Sequence, residues 1–347
     1  MNIATGYLLV AACLSMSCGR SGTTVPRDSA ESGAAPSLPH PKVAFLLATL
    51  QEERYKKDQA YFEAGARQRG LDPFTLSADN DNSRQLSQVE DALSRKPRVL
   101  VIDPTDSAAA GGYVAKAHAQ GALVVAYDRT IPGADFYVAH DSFRVGVLQA
   151  EEAIKATHAK GNYILLDGQS GHSVASEITR GYHETLRPYL DSGAITIVME
   201  KNHDAWSPEQ ALKTVEDAIS KAKGNIQAIL ANNSGMARGA VQAVQAAGLS
   251  PRGIFIAGAD ADAANVNYVC EGKQSVEVLK DIRPLAEQAA VIAAALANGQ
   301  TIAANKNAQG TPVIAVPVVL ITTENVKTRL IDSGFHSADA LPSCLSR

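Results

Sequence analysis

The stretch LVVAYDRT, residues 123–130, places a short apolar run directly before an acid and a base. An uninterrupted run of this kind is typical of a strand that is buried on both faces of a parallel sheet. In such sheets, ligands bind beyond the carboxyl ends of the strands. The sequence therefore predicts that Asp128 and Arg129 lie at the rim of a sheet, next to a cleft.

The same pattern repeats along the chain from residue 42. Short β-branched runs alternate with segments of helical period, such as residues 82–95 and residues 207–222. In the second segment, Ser207 is the expected N-cap and Pro208 suits the first helical turn. The predicted strands are 43–48, 74–76, 99–102, 123–127, 163–166, 195–199, 228–231, 254–257, 276–279 and 313–321. Repeated alternation of strand and helix predicts an α/β fold with helices on both faces of parallel sheets.

The size and charge of the chain narrow its possible partners. Its 347 residues are too many for one ordinary core and suggest two domains. The formal net charge of -4 offers no basic surface for nucleic acid or for an anionic membrane. We therefore expect the partner to be a small molecule or a protein.

The N-terminus has the features of an export signal. Residues 3–18, IATGYLLVAACLSMSC, form an uncharged apolar run that ends in small residues and Cys18. This run is shorter than the roughly 20 residues that span a bilayer as a helix. Small residues before a cysteine resemble a bacterial lipoprotein signal, so residues 1–18 are predicted to be removed up to a lipidated Cys18, with Cys13 as the alternative. The sequence leaves open whether either cysteine is lipidated.

Residues 19–41 are rich in glycine, serine, proline and alanine and predict a flexible linker. We expect an exported protein, in the periplasm or cell envelope, that contacts the membrane only through its N-terminal lipid. After processing, Cys270 and Cys344 are left. In an exported protein these two cysteines can pair or stay free, and the sequence leaves both alternatives open.

Sequence signatures of catalysis are not found. The chain has no phosphate-binding loop, no G-x-S-x-G elbow and no G-x-G-x-x-G dinucleotide motif. Its histidines lack zinc-site spacing. Asp260 and Asp262 are interpreted as a helix cap and an exposed carboxylate rather than metal ligands. The sequence therefore predicts no catalytic residue, no cofactor and no metal.

Polar side chains that follow the predicted strands match the chemistry of a neutral sugar. A sugar offers hydroxyls that donate and accept, together with an apolar C–H face on which an aromatic ring can stack. The side chains that suit the hydroxyls are those of Arg54, Arg129, Asn233, Asp260 and Lys280. Tyr55 and Trp206 are the candidates for stacking.

Each of these residues also has a structural alternative. Arg129 can pair with Asp128 or cap a helix, and Asp260 can be the N-cap of a helix predicted at residues 261–268. Trp206 can belong to the core.

Several motifs in combination resemble a known family. They include ERYKKD at residues 53–58, HDSFRVGVLQA at 140–150, DAWSPEQAL at 204–212, AGADAD at 257–262 and SVEVLK at 275–280. The chain from about residue 42 to residue 335 is similar to periplasmic sugar-binding proteins of ABC importers, of the ribose- and xylose-binding type.

The resemblance implies a type I periplasmic binding protein fold. Two similar doubly wound parallel-sheet lobes would be joined by a three-segment hinge. The N-terminal lobe would comprise residues 42–139 and 283–315, and the C-terminal lobe residues 140–282 and 316–347. A monomer of this kind would hold a monosaccharide between its lobes.

The resemblance also implies roles for single residues. Arg54 and Arg129 would bind hydroxyls from the N-terminal lobe, beside the aromatic Tyr55. From the C-terminal lobe, Trp206 would stack on the sugar ring. Its partners for the remaining hydroxyls would be Asn233, Asp260 and Lys280.

One segment departs from the family pattern. Where xylose-type proteins carry an Asp-Asn-Asn run, this chain has His172, Ser173 and Val174. We still expect His172 and Ser173 to contact the sugar, whereas Val174 removes a polar contact. D-xylose ranks first, followed by arabinose, ribose, glucose and galactose.

The implied activity is capture of a sugar by hinge closure and its delivery to the membrane permease of an ABC importer. The alternative is a sensor that presents its ligand-bound form to a chemoreceptor or a histidine kinase. A sugar-responsive repressor core is disfavoured because residues 1–41 contain no helix-turn-helix and no basic stretch. An enzyme is disfavoured because the polar set includes no evident nucleophile.

Overall fold

The structure is a computed structural model that describes residues 40–307 and 309–345. The predicted signal peptide, with Cys13 and Cys18, lies outside the described residues, as does the predicted linker up to residue 39. None of the helices within the described part of the chain is long and apolar enough to cross a membrane.

The described residues form strands and helices that alternate from β1 onward. The strands are β1 (Lys42–Leu47), β2 (Asp72–Ser77), β3 (Val99–Ile102), β4 (Leu123–Tyr127), β5 (Phe136–His140), β6 (Gly161–Asp167), β7 (Ile195–Asn202), β8 (Ala228–Ala231), β9 (Phe255–Ala259), β10 (Val276–Lys280), β11 (Asn305–Lys306), β12 (Pro312–Val316) and β13 (Val318–Ile321). The α-helices are α1 (Glu53–Gln68), α2 (Asn82–Ser94), α3 (Gly111–Ala119), α4 (Ser142–Ala156), α5 (Ser173–Asp191), α6 (Pro208–Lys221), α7 (Ser234–Ala246), α8 (Ala263–Glu271), α9 (Ile282–Ala297) and α10 (Pro342–Leu345). Short 3₁₀ helices occur at Asp204–Trp206, Pro251–Gly253 and Ala338–Ala340, and a π-helical turn at Lys327–Ile331.

The strands form two separate sheets. One has the order β11-β12-β5-β4-β3-β1-β2, and the other has the order β13-β10-β9-β8-β6-β7. Pairing is parallel except between β11 and β12 and between β10 and β13. We call the first sheet with its helices the N-terminal lobe and the second the C-terminal lobe. The predicted α/β fold of two doubly wound lobes is confirmed.

Both faces of each sheet are covered, which is why the strands are apolar throughout. In the N-terminal lobe, Phe45 packs on the face covered by α1 and α9, and Leu46 on the face covered by α2 and α3. Helices α4 and α5 pair on one face of the C-terminal sheet, and α6 and α7 pair on the other. Ser207 caps α6 as predicted, because its side chain accepts a hydrogen bond from the backbone N–H of Gln210.

The prediction of one strand over residues 313–321 is wrong. Residues up to Val316 belong to β12 in the N-terminal sheet, and residues from Val318 belong to β13 in the C-terminal sheet. Pro317 lies between them, and proline has no backbone N–H to donate to a ladder. The chain therefore passes between the lobes here, as it does after β5 and after β10.

Strand β5 was not predicted. It follows β4 without an intervening helix, so a search for alternating strands and helices passes over it.

Residues Cys270 and Cys344 form a disulfide with a Cα–Cα distance of 5.1 Å, which decides between the two alternatives that the sequence leaves open. The disulfide joins α8 to α10 and thereby holds the C-terminal segment against its lobe.

Candidate functional site

The candidate site is a cavity between the carboxyl ends of the two sheets, which we call the inter-lobe cavity. It is lined by Glu52, Arg54, Tyr55, Asp128, Arg129, Val174, Trp206, Asn233, Asp260 and Lys280. Five of these residues come from each lobe. The structure therefore brings together seven of the predicted residues, namely Arg54, Tyr55, Arg129, Trp206, Asn233, Asp260 and Lys280.

Arg54 lies in the first turn of α1 and is held by acids of its own lobe. Its guanidinium is 3.3 Å from the Asp58 carboxylate and 3.0 Å from the Asp128 carboxylate. Across the cavity it is 3.9 Å from Asp260. Atom Nη2 is buried and has no hydrogen-bond partner among the described residues, so this N–H group can still donate into the cavity.

Arg129 is anchored on three sides by the N-terminal lobe. Atom Nη1 donates to the carbonyl oxygen of Pro104 at 2.8 Å, and Nη2 donates to the hydroxyl of Tyr55 at 2.9 Å. Atom Nε is 3.3 Å from the Asp103 carboxylate. The alternative in which Arg129 pairs with Asp128 is therefore wrong, because Asp128 pairs with Arg54.

The acids beneath the two arginines differ in their ionisation. Burial raises the pKa of Asp103 to about 7, although the Arg129 guanidinium opposes this shift. Burial also disfavours the charged form of Asp128. There the Arg54 guanidinium, together with His140 and Lys280, outweighs burial, and the pKa of Asp128 lies well below its usual range. Asp128 is therefore the permanent counter-charge of Arg54.

On the C-terminal lobe, three predicted residues follow consecutive strands of the sheet. Asn233 follows β8 and caps α7, because its Oδ1 accepts from the backbone N–H of Met236 at 2.9 Å. Asp260 follows β9, and its carboxylate is 2.7 Å from the ammonium of Lys280, the last residue of β10. The alternative N-cap role of Asp260 is wrong, because α8 begins at Ala263 and the cap position is occupied by Asp262.

Trp206 occupies a strained position at the end of the short 3₁₀ helix that follows β7. Its φ of 57° lies in the left-handed region that residues other than glycine seldom adopt. The indole is buried and lines the cavity, so the core-packing and ligand-facing alternatives both apply to it. Its benzo ring packs so closely on Gly168 that a Cβ added there would be 2.4 Å from ring carbons. Backbone strain and this contact together set the position of the ring.

His172 and Ser173 are predicted contacts that do not line the inter-lobe cavity. His172 is fully buried, and both of its ring nitrogens are engaged by protein groups, Trp206 and Thr105. The hydroxyl of Ser173 accepts from the backbone N–H of Thr130 at 2.9 Å. The segment instead presents Val174 to the cavity.

Two carboxylates in the cavity wall were not among the predicted contacts. The sequence places Asp128 at the rim, but its pairing with Arg54 is visible only in the fold. Glu52 is partly exposed as a residue, yet burial of its carboxyl group and the nearby Asp260 raise its pKa to about 7. Its position two residues before Arg54, in the loop after β1, is the only sequence signal for it.

The arrangement suits a neutral ligand with many hydroxyls. Cationic and anionic side chains face the cavity in comparable number and neutralise one another, so a ligand of either charge would leave some of them unpaired. Among the residues that the structure describes, no cluster of histidine, cysteine, aspartate and glutamate could hold a metal ion.

Comparisons with known proteins match most of the chain. The family model described as "Periplasmic binding protein domain" matches residues 43–301. The D-xylose-binding periplasmic protein of Escherichia coli K12 is 36% identical over 306 residues, which cover 86% of this chain and 92% of that protein. The D-xylose-binding periplasmic protein of Haemophilus influenzae is 34% identical with the same coverage.

Two solved structures support the same relationship. An ABC transporter solute-binding protein from Clostridium phytofermentans with bound β-D-glucose has a TM-score of 0.79 at 28% identity, and covers 86% of this chain and 99% of that one. A carbohydrate transporter solute-binding protein from Chloroflexus aurantiacus in complex with D-glucose has a TM-score of 0.79 at 29% identity, and covers 86% of this chain and 97% of that one.

Proposed function

The chain belongs to the periplasmic binding protein family, and on that premise we propose that it captures a monosaccharide between its lobes and delivers it to the membrane permease of an ABC importer. The observation that carries this proposal is the convergence of seven side chains, distant in sequence and drawn from both lobes, on one inter-lobe cavity. D-xylose is the first candidate, because relatives that match nearly the whole chain are D-xylose-binding proteins.

The direct contacts are assigned to the seven predicted residues that line the cavity. Arg54 and Arg129 donate to sugar hydroxyls, and Trp206 stacks on the C–H face of the ring beside Tyr55. From the C-terminal lobe, Lys280 donates, Asp260 accepts and Asn233 does both. His172 and Ser173 are assigned to the contact between the lobes rather than to the sugar.

Closure of the hinge is the functional step. A ligand that touches both walls binds the closed form more tightly than the open one, and this differential affinity shifts the population toward closure. The permease then recognises the closed form. We propose that the hinge divides the chain into residues 42–139 with 283–315 and residues 140–282 with 316–347.

The proposed location is the periplasm, as for the D-xylose-binding relatives. A lipid on Cys18, or on Cys13, would tether the folded part through the linker. The protein acts as a monomer, since each chain contains both walls of its own cavity.

Isothermal titration calorimetry of the full exported protein at pH 7.5 tests the proposed ligand. The panel is D-xylose, L-arabinose, D-ribose, D-glucose and D-galactose. We expect one-to-one binding, because the residues from both lobes converge on one cavity, and we expect D-xylose to bind most tightly. Binding of none of these sugars would overturn the proposed function, and a different order of affinities would overturn the choice of D-xylose alone.

A further inference from the structure

His172 connects the two lobes through its ring. It lies between β6 and α5 in the C-terminal lobe, and its Nε2 is 2.5 Å from the carbonyl oxygen of Thr105 in the N-terminal lobe. Its Nδ1 is 2.7 Å from the indole Nε1 of Trp206. The side chain is fully buried. One imidazole therefore joins the proposed stacking residue of one lobe to the backbone of the other.

These two partners define the protonation state of the ring. An indole N–H can only donate, so Nδ1 must accept from it. A carbonyl oxygen can only accept, so Nε2 must donate to it. The ring is therefore neutral, with its single proton on Nε2. A second proton, on Nδ1, would point at the indole N–H and break that hydrogen bond.

The partner on the N-terminal lobe is itself fixed in place. The backbone N–H of Thr105 donates to the Gln85 side chain at 2.8 Å, and the same side chain donates to the carbonyl of Asp103 at 2.8 Å. Gln85 is fully buried. The Thr105 carbonyl, which accepts the hydrogen bond from His172 Nε2, is therefore held in place. It lies in the same loop as Asp103, the partner of Arg129.

The charged groups around His172 come from the N-terminal lobe. The Arg129 guanidinium disfavours a charged imidazole, and the Asp128 carboxylate favours one. The carboxylate of Asp106, the residue after Thr105, is taken up by the backbone N–H groups of Ala108 and Ala109. Burial and Arg129 together lower the pKa of His172 to about 2.

The lowered pKa of His172 makes closure of the lobes weaker at low pH. When the lobes open, His172 loses Thr105 and meets water, and an exposed histidine titrates at about 6.5. Because the closed form requires the neutral ring, the free energy that His172 contributes to closure is fully present above pH ~6.5. It decreases as the pH falls, by at most one tenfold factor in affinity per pH unit.

We infer that His172 is a positioning residue which, only while its ring is neutral, holds Trp206 in place and ties it to the N-terminal lobe, so that sugar capture weakens in acid. This inference rests on the proposed function. Ligand binding at low pH would require loss of a proton from the open form, and only closure would add the link between the stacking ring and the N-terminal lobe.

The test measures sugar affinity against pH in three forms of the full exported protein. Trp206 is the single tryptophan of the chain, so intrinsic fluorescence reports on the ring that His172 holds. The probe is D-xylose or the sugar of the panel that binds most tightly. In the parent, we expect affinity at pH 5.5 to be about tenfold lower than at pH 7.5.

His172→Gln is the decisive variant. An amide side chain can donate and accept at the same time but does not titrate in this range. We expect it to bind the sugar with an affinity that changes less than threefold between the two pH values. Glu52 and Asp103 titrate in the same cleft, and their share of the pH response would persist in this variant.

His118→Gln is the matched control. His118 is an exposed histidine that pairs with Asp135 away from the cavity, so this variant should keep the response of the parent. If His172→Gln does not fold, His172→Asn takes its place.

An affinity that does not change with pH in the parent would overturn the inference whatever the variants do. So would an equal pH response in the parent and in His172→Gln. A parent that binds no sugar at pH 7.5 would overturn the proposed function and with it this inference.

Discussion

The two walls of the inter-lobe cavity are held in place by different means. On the N-terminal wall, Arg54 and Arg129 are anchored by three buried acids of the same lobe, Asp58, Asp103 and Asp128. The ion pairs that anchor this wall lie within its own lobe. Electrostatic groups that are oriented in advance lose little entropy when the ligand arrives.

The C-terminal wall depends partly on its neighbour. Lys280 and Asp260 pair within the lobe, but the Trp206 ring is hydrogen-bonded to His172, which in turn reaches Thr105 of the N-terminal lobe. The hydroxyl-binding groups are therefore preformed on both walls, whereas the stacking ring is fully fixed only on closure. A sugar would first contact the charged groups, and closure of the lobes around it would then complete the stacking surface.

The largest expected effect comes from breaking the preformed wall. Arg129→Ala removes a donor to the sugar and leaves Asp103 buried without its counter-charge. We expect a loss of about 2 kcal/mol or more in sugar binding, which is at least roughly 30-fold in affinity by calorimetry.

The matched control for this variant is Arg67→Ala, because Arg67 is an exposed arginine that pairs with Glu63 on α1. Thermal unfolding should verify that Arg129→Ala is folded. An affinity equal to that of the parent would remove Arg129 from the site and would leave the N-terminal wall without its proposed role.

An intermediate effect is expected from displacing the stacking ring. Gly168→Ala would place a Cβ against the indole, so Trp206 must move or rotate away from the sugar. Because an aromatic contact contributes about 0.5–1.5 kcal/mol beyond its buried area, we expect affinity to fall about three- to tenfold. A shift in tryptophan fluorescence should accompany the loss.

Gly112→Ala is the control for this substitution, since nothing lies within 4 Å of a Cβ added at that helix position. It should leave both affinity and fluorescence unchanged. If Gly168→Ala also changes neither, the contact with Gly168 does not position the ring.

The smallest and most informative effect concerns the choice of sugar. Val174 presents an apolar surface where the resembled family has a polar residue. Val174→Asn adds a group that can donate and accept, and a hydrogen bond of this kind contributes about 0.5–1.5 kcal/mol. We expect D-xylose to bind a few-fold more tightly relative to the other panel sugars, as measured by calorimetry at pH 7.5. Unchanged relative affinities would show that residue 174 does not distinguish between sugars.

The candidate site could be predicted to the extent that it follows the strand ends. Arg129, Asn233, Asp260 and Lys280 each stand directly after or at the end of an apolar run, and parallel sheets gather such positions at one edge. Glu52 was missed because a lone carboxylate in a loop carries no pattern. His172 and Ser173 were expected at the sugar because they stand where the resembled family carries polar contacts, but both are engaged by groups of the other lobe, Thr105 and Thr130.

By itself, the sequence determined the fold class and the side of each sheet on which the cavity lies, because periodicity and strand-end chemistry are local properties that survive without tertiary contacts. The two-lobe organisation was predicted from the chain length and from the resemblance to a known family. Only the tertiary structure decided that one apolar run is divided at Pro317 between two sheets, that Cys270 and Cys344 pair, and that Asp128 serves Arg54 rather than its neighbour Arg129. These outcomes depend on which groups meet across long loops. Partner choice in a buried hydrogen-bond network is set by closure of the fold, and no spacing along the chain records it.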